Sequence, residues 1–253
     1  MKQNELLNQW LAEEQAAHIH GWDFSHIRGR WQEEKDLPWN YEQLVRQYLH
    51  PESRILDIDT GGGEFLLSLQ HPCHLTSATE AYPPNVSLCR ETLSPLGIDF
   101  QEAAGRGPLP FPDGSFDLVL NRHGDYDPRD ISRILKPGGV FITEQVGAEN
   151  DRELVELLLP EAPPLPFPKQ YLRIAQEELA ACGLTILDGQ EAFRPIQFWD
   201  VGALVWFARI IEWEFPGFSV NSCLAGLHRA QAVLERDGVI QGTIHRYLLI
   251  VRK

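Results

Sequence analysis

Short apolar strands alternate with helices through the middle of this chain, and a glycine turn follows the first of those strands. Arg54–Asp59 (RILDID) is a β-branched and apolar run that ends in Thr60-Gly61-Gly62-Gly63, and Phe65–Gln70 then reads as the start of a helix. His74–Glu80 predicts a second strand, and Asn85–Ser94, behind Pro83-Pro84, a second helix. Ile98–Ala103 predicts a third strand and Phe116–Asn121 (FDLVLN) a fourth. Pro128–Leu135 reads as a helix, Lys136-Pro-Gly-Gly139 as a breaker and Val140–Val146 as a fifth strand. Repeated strand–helix–strand units imply a mostly parallel sheet with helices on both faces. Right-handed crossovers gather the loops after the strands along one edge, where ligands bind in such sheets. The expected class is α/β with a Rossmann-like core.

The flanks add a cap and an insert. Glu5–His20 and Asn40–Leu49 read as helices ahead of the sheet. The proline-dense stretch Pro160–Pro168 predicts an extended connector, since each proline fixes φ and removes a donor. Beyond it, Gln170–Cys182 predicts a helix closed by Gly183 as its C′ residue, and Leu184–Leu187 and Thr243–Val251 two more strands. Between these lies an aromatic-rich insert, residues 193–238, before the last strand. Trp199, Trp206 and Trp213 recur there at seven-residue intervals, which predicts a shared helix face ended by Pro216-Gly217. The whole reads as one domain over 1–253, with a helical cap (1–50), a ligand-binding core (51–160) and a C-terminal part (161–253).

Composition narrows the function classes. The chain has 253 residues, 43% of them hydrophobic and 23% charged, ordinary values for a globular protein. Its 22 Lys and Arg against 36 Asp and Glu give a net charge of −14. That balance repels phosphate backbones and anionic lipid, so a small molecule is the expected partner rather than nucleic acid. No stretch has the length of a membrane span, and the polar, acidic N-terminus resembles no signal or transit peptide. The four cysteines (Cys73, Cys89, Cys182, Cys223) are scattered without a C-x-x-C, which fits a reduced cytoplasmic protein without a thiolate metal site. His71-Pro-Cys-His74 and the Glu14/His18 pair have metal-ligand residue types but no second cluster at a familiar spacing, so no metal site is expected.

The glycine turn has several readings. A glycine turn that ends a strand and opens a helix brings backbone amides close to a ligand, although it also serves as a plain structural turn. The dinucleotide fingerprint G-x-G-x-x-G fails, because Leu66 stands where the third glycine belongs, and no Gly-Lys-Ser/Thr follows to make a P-loop. Glu80, ending the next strand, is placed to accept hydrogen bonds from two ribose hydroxyls. That acid suits NAD as well as other nucleoside cofactors, and the missing glycine argues against NAD.

Several motifs in order resemble the class I S-adenosylmethionine-dependent methyltransferases, in particular the methyltransferase type 11 group. They are RILDIDTGGGEFL (54–66), Thr76-Ser-Ala-Thr-Glu80, LPFPDGSFDLVLNRH (Leu109–His123) and ILKPGGVFITEQ (Ile134–Gln145). The resemblance spans about residues 38–150, and the pairing of LPF-x-D-x-SFDLV with LKPGG is its most specific part. It implies S-adenosyl-L-methionine as cofactor, with Asp57, Asp59, Thr60, Gly61 and Gly63 near its methionine portion and Glu80 on its ribose. Ala103 and Ala104 would pack on adenine, and Asn121 would touch the cofactor. The chain departs from the family at Asp59, where the family has its first loop glycine, and at Glu102-Ala-Ala, where it has an adenine-contacting acid. The end of the fourth strand is where the resemblance places the transferred methyl. His123 is accordingly the candidate catalytic base, with Asp125 or Tyr126 to orient it. Trp22, Trp39 and Tyr41 from the cap, together with Tyr126, Trp199 and Trp206, are candidates to face the substrate or sulfonium. Core packing is the competing role for these aromatics. The resemblance implies methyl transfer to a small molecule. An RNA methyltransferase and a non-catalytic, degenerate fold kept alive by Asp59 are the rival readings.

Overall fold

Ile55–Ile58 is buried at every position, a pattern that a strand achieves only when flanked on both sides and covered on both faces. The computed structural model describes residues 2–18, 23–33 and 36–253. In chain order the elements are α1 (Lys2–Ala16), β1 (Trp31–Glu33), α2 (Tyr41–Tyr48), β2 (Ile55–Ile58), α3 (Glu64–Ser68), β3 (Thr76–Glu80), α4 (Pro83–Thr92), β4 (Asp99–Glu102) and β5 (Phe116–Arg122). They continue with α5 (Pro128–Ile134), β6 (Leu135–Val146), α6 (Arg152–Leu158), α7 (Leu172–Ala181), β7 (Thr185–Phe198), α8 (Val201–Ile210), α9 (Leu224–Asp237) and β8 (Ile240–Arg252). The described strands form one eight-stranded sheet in the order β1-β7-β8-β6-β5-β2-β3-β4. Strands β4, β3, β2, β5 and β6 run parallel, while β8 lies antiparallel on β6 and β1 antiparallel on β7. This is the α/β, mostly parallel sheet that the strand–helix alternation predicts.

Two compact units are interleaved along the chain. One comprises residues 38–146, 169–192 and 246–253, and the other residues 1–37, 147–168 and 193–245. In the first, Leu56, Ile58, Val119, Phe141 and Leu249 on one sheet face meet Ile131 and Ile134 of α5 and Leu179 of α7. The opposite face meets α2 and α4, whose Val45, Val86 and Cys89 are buried. Polar signals in the sequence set the helix ends. Asn40 caps α2 by accepting from Gln43 N–H at 2.9 Å, and Asp127 caps α5 ahead of Pro128. Gly183, at φ +82°, closes α7, with Leu184 N–H reaching back to Leu179 C=O.

In the second unit a core of Trp10, Ile27, Leu154, Phe198, Trp206, Phe215 and Leu227 is built around α8, which is buried through Val201–Ala208. This corrects the expected tryptophan stripe. The helix runs only from Val201 to Ile210, so Trp199 lies before its Asp200 cap and Trp213 beyond its end. Trp199 and Trp213 are 40% and 47% exposed, whereas Trp206 is 1% exposed. A seven-residue spacing marks one face only when the helix is continuous, and Asp200, accepting from Ala203 N–H, starts it too late. Two strand limits also shift. Strand β7 extends past the expected Leu187 to Phe198, so the insert opens inside a strand. Leu135 already pairs with Phe116, and Lys136–Gly139 bulges out before Val140 takes up pairing with Leu118. Among the described residues no helix is long and apolar enough to cross a membrane.

Candidate functional site

The carboxyl ends of β2, β3, β4 and β5 lie side by side in the first unit, and most of the predicted site residues fall there. After β2 the chain enters the left-handed region at Asp59 (φ +55°), Gly61 (φ +65°) and Gly63 (φ +84°). Gly63 also needs its missing Cβ, which would stand 2.8 Å from Leu93, whereas a Cβ at Gly61 would meet nothing within 4 Å. Glu80 pins this turn from the end of β3. Its Oε2 accepts from Gly61 N–H at 2.8 Å, and its Oε1 accepts from Ala81 and Tyr82 N–H, both at 2.8 Å. Thr60 Oγ1 donates to Asp57 Oδ2 at 2.6 Å.

Three carboxylates thus crowd one turn, with consequences for their protonation. Burial on the α2/α4 face raises the pKa of Asp57 to about 7, against the hydrogen bond from Thr60 and with help from Asp59 and Glu80. Burial and the charge of Glu80 raise Asp59 to about 6. Because the folded state holds the Asp57 proton more tightly than the unfolded chain does, its contribution is favourable below about pH 4 and is lost as the pH rises to 7. Asp57→Asn removes that loss. In denaturant unfolding, the wild type should lose about 3–4 kcal/mol relative to D57N between pH 4 and pH 8. A difference that stays flat with pH would show Asp57 ionised at no cost.

Asp59 also ties loops together. Its Oδ2 accepts from Asp125 N–H at 3.1 Å, its Cβ lies 2.6 Å from where a Cβ on Gly124 would be, and Gly105 would carry its own Cβ 1.8 Å from Asp125 C=O. Only glycines at 105 and 124 let the loops after β4 and β5 close on each other and on Asp59. Ala103 is half-buried, with its N–H on Glu80 C=O at 3.2 Å, and Ala104 is exposed. Glu102 lies on the surface, paired with Arg90. Asn121 is fully buried and clamps the strand ends. Its Nδ2 donates to Ile58 C=O at 3.2 Å and its Oδ1 accepts from Thr143 and Gln145, so its polar atoms turn inward rather than toward open space.

His123, at φ +60°, follows β5 in a conformation costly for a residue with a Cβ. The residue that holds it is neither Asp125 nor Tyr126, the two expected orienting groups. Asp125 pairs with Arg106 at 3.1 Å, and Tyr126 is hydrogen-bonded to Tyr247 and packs edge-on against Phe141. Glu144, on the adjacent strand β6, holds it instead. Its Oε1 lies 3.4 Å from His123 Nε2 and accepts from Arg122 Nε at 2.9 Å, while its Oε2 accepts from Trp39 Nε1 at 2.7 Å. Burial alone would raise the Glu144 pKa, but the hydrogen bonds from His123 and Trp39 and the Arg122 charge hold it at about 2. Protein crowding lowers the His123 pKa, with Arg246 and Arg122 adding to the effect and Glu144 opposing it.

The parallel register of β5 and β6 sets Arg122 opposite Glu144. Trp39 is nearly buried and serves as a donor to Glu144. Tyr41 is buried too, its hydroxyl 3.4 Å from Asn121 C=O and its ring under the Arg122 guanidinium at 5.6 Å. Tyr126 lines a cavity of about 270 Å³ with Arg106, Asp125, Gln145 and Lys169. Trp199 and Trp206 belong to the second unit, where Trp206 stacks on His26 at 5.5 Å. Trp22 lies outside the described residues. Among the described residues no group of three or more His, Cys, Asp or Glu is arranged to hold a metal ion.

Residues 56–143 match the family model described as a methyltransferase domain, Methyltransf_11. A demethylmenaquinone methyltransferase of Thermus thermophilus is 32% identical over 118 residues, covering 42% of this chain and 53% of that protein. A 2-methyl-6-phytyl-1,4-hydroquinone methyltransferase of Synechocystis is 29% identical over 140 residues, covering 52% of this chain and 40% of that protein. The chain therefore spans about half the length of the curated relatives it matches. Among solved structures, the YcgJ protein of Bacillus subtilis superposes with a TM-score of 0.56 at 21% identity, over 83% of this chain and 96% of that one. A protein of Deinococcus radiodurans does so with a TM-score of 0.56 at 18% identity, over 90% and 94%.

Proposed function

We propose that this protein, whose residues 56–143 match a methyltransferase-domain family model and whose fold the YcgJ protein shares, transfers a methyl group from S-adenosyl-L-methionine to a small-molecule acceptor. The observation that carries the reading is the Glu80 carboxylate at the end of β3, seated against the Gly61 amide. A buried acid beside a glycine turn is suited to a ribose, and the open side of Gly61 leaves room for a ligand against the backbone. The raised pKa values of Asp57 and Asp59 beside Glu80 mean that a nearby cation is taken up favourably by this turn, which suits a sulfonium. When bound there, the cofactor would supply an electrophilic methyl group. The relatives that act on quinone precursors favour a small aromatic or isoprenoid acceptor, and a net charge of −14 disfavours RNA. The chain works as one methyltransferase domain in this reading.

Calorimetric titration with S-adenosylmethionine and S-adenosylhomocysteine, with NAD as control, tests the reading. Micromolar binding of the two sulfur compounds and none of NAD is expected. Absence of both would overturn it. Asp59 favours a second reading, a degenerate fold that no longer turns over, because its carboxylate closes the loops that a cofactor must part. Asp59→Gly removes a left-handed residue with a Cβ and one negative charge near the cofactor's carboxylate. It should tighten cofactor binding by about 10-fold. Tighter binding without turnover on any acceptor would favour the degenerate reading.

A further inference from the structure

Three side chains converge on one buried carboxylate at the ends of β5 and β6. Glu144 is 3% exposed, and Trp39, Arg122 and His123 all approach it. Arg122 and Trp39 already fix both carboxylate oxygens, so Glu144 presents one defined lone-pair direction to the imidazole. Next to a permanently ionised carboxylate, the neutral ring keeps its hydrogen on Nε2, and the basic lone pair is on Nδ1. Among the described residues Nδ1 has no hydrogen-bond partner, and the side chain is 39% exposed. His123 holds this position with a left-handed backbone, at φ +60°.

We propose that His123 is the general base of the methyl transfer, that Glu144 is its positioning residue, and that the acceptor is consequently a hydroxyl of phenolic or enolic type. This rests on the methyltransferase reading above. As the acceptor oxygen attacks the methyl carbon, a C–O bond forms, the C–S bond breaks with its electron pair passing to sulfur, and the O–H proton passes to His123 Nδ1. The products are a methyl ether, a neutral thioether and an imidazolium paired with Glu144. A carboxylate acceptor needs no base, and its attack would leave this arrangement without a task. An amine reaches a site at neutral pH mostly as ammonium. The charges facing His123 are Arg122 from β5, Arg246 from β8 and Glu144 from β6. The two arginines act on the ring as positive charges and disfavour an ammonium beside it.

Two readouts separate this proposal from the cofactor assignment. The first needs no cofactor: nitrogen-15 spectra of the nine histidines, with His123 assigned through His123→Asn. Expected are a protonated Nε2, a bare Nδ1 and a pKa below that of a free histidine, which Glu144→Gln lowers about 10-fold further in proton affinity. A proton found on Nδ1, or a titration unmoved by E144Q, overturns the dyad whether or not S-adenosylmethionine binds. The second is transfer to matched phenols, benzoates and benzylamines once calorimetry has shown cofactor binding. Phenols should be methylated, and H123N should lower kcat about 100-fold or more with the cofactor Kd unchanged. E144Q should lower kcat and move the pH profile while leaving KM near its original value. Transfer to amines or carboxylates alone, no transfer to any phenol, or transfer that survives H123N overturns the acceptor class.

Discussion

Glu80→Ala should lower affinity for S-adenosylmethionine by about 100-fold or more in calorimetry. In the function proposed above the carboxylate takes two ribose hydroxyls, and a hydrogen bond to a charged acceptor is worth about 1.5–3 kcal/mol, so losing two accounts for that factor. The same substitution withdraws the acceptor from Gly61, Ala81 and Tyr82 N–H, each now held at 2.8 Å. The glycine turn should therefore loosen. Protection of the Gly61 amide in hydrogen exchange should fall even without ligand. Glu80→Gln retains one oxygen acceptor and should recover part of both effects. Unchanged affinity in E80A would remove Glu80 from the cofactor site.

Gly226→Ala should be the most damaging single methyl in the chain's second unit. The added Cβ would stand 2.0 Å from Leu158 C=O, a backbone atom at the end of α6 that cannot rotate away. Helices α6 and α9 meet at this point, and Leu158 and Leu227 beside it are completely buried. Parting the helices to admit a methyl opens contacts along both, at a cost of about 3 kcal/mol or more. For a chain of this size that corresponds to a fall in Tm of about 6–12 °C. A Tm within about 1 °C of the original would show that the two helices slide apart freely, contrary to their packing.

The core of the fold was legible because its signals are local. RILDID and FDLVLN read as strands since residues buried on both faces need no alternation, and Asn40 and Asp127 announced helix starts through the caps they make. Glu80 was legible as well, because an acid ending the strand after a glycine turn can be located by counting. Glu144 was not. Its importance comes from Trp39, which is 105 positions away in sequence, and from a register between two strands separated by a helix. Nor could the sequence tell that Asn121 would turn inward, which depends on Thr143 and Gln145 arriving from the neighbouring strand. The tryptophan spacing misled for a related reason. Periodicity describes a helix that already exists, and Asp200 decides where that helix begins.

The last seven residues of β8 that pair with β6 have a bearing on how this protein can be shortened. Arg246–Arg252 returns from the far end of the chain to cover the whole length from Val140 to Val146. A truncated chain trimmed to the recognisable stretch at residues 56–143 would cut β6 near its middle and uncover a row of apolar residues, Val140-Phe141-Ile142, with unpaired amides and carbonyls. Such an open, flat, apolar edge recruits other strands, and aggregation is its usual outcome. The stretch that the family model matches is thus shorter than the sheet that pairs its own edges, and the C-terminal strand supplies the difference.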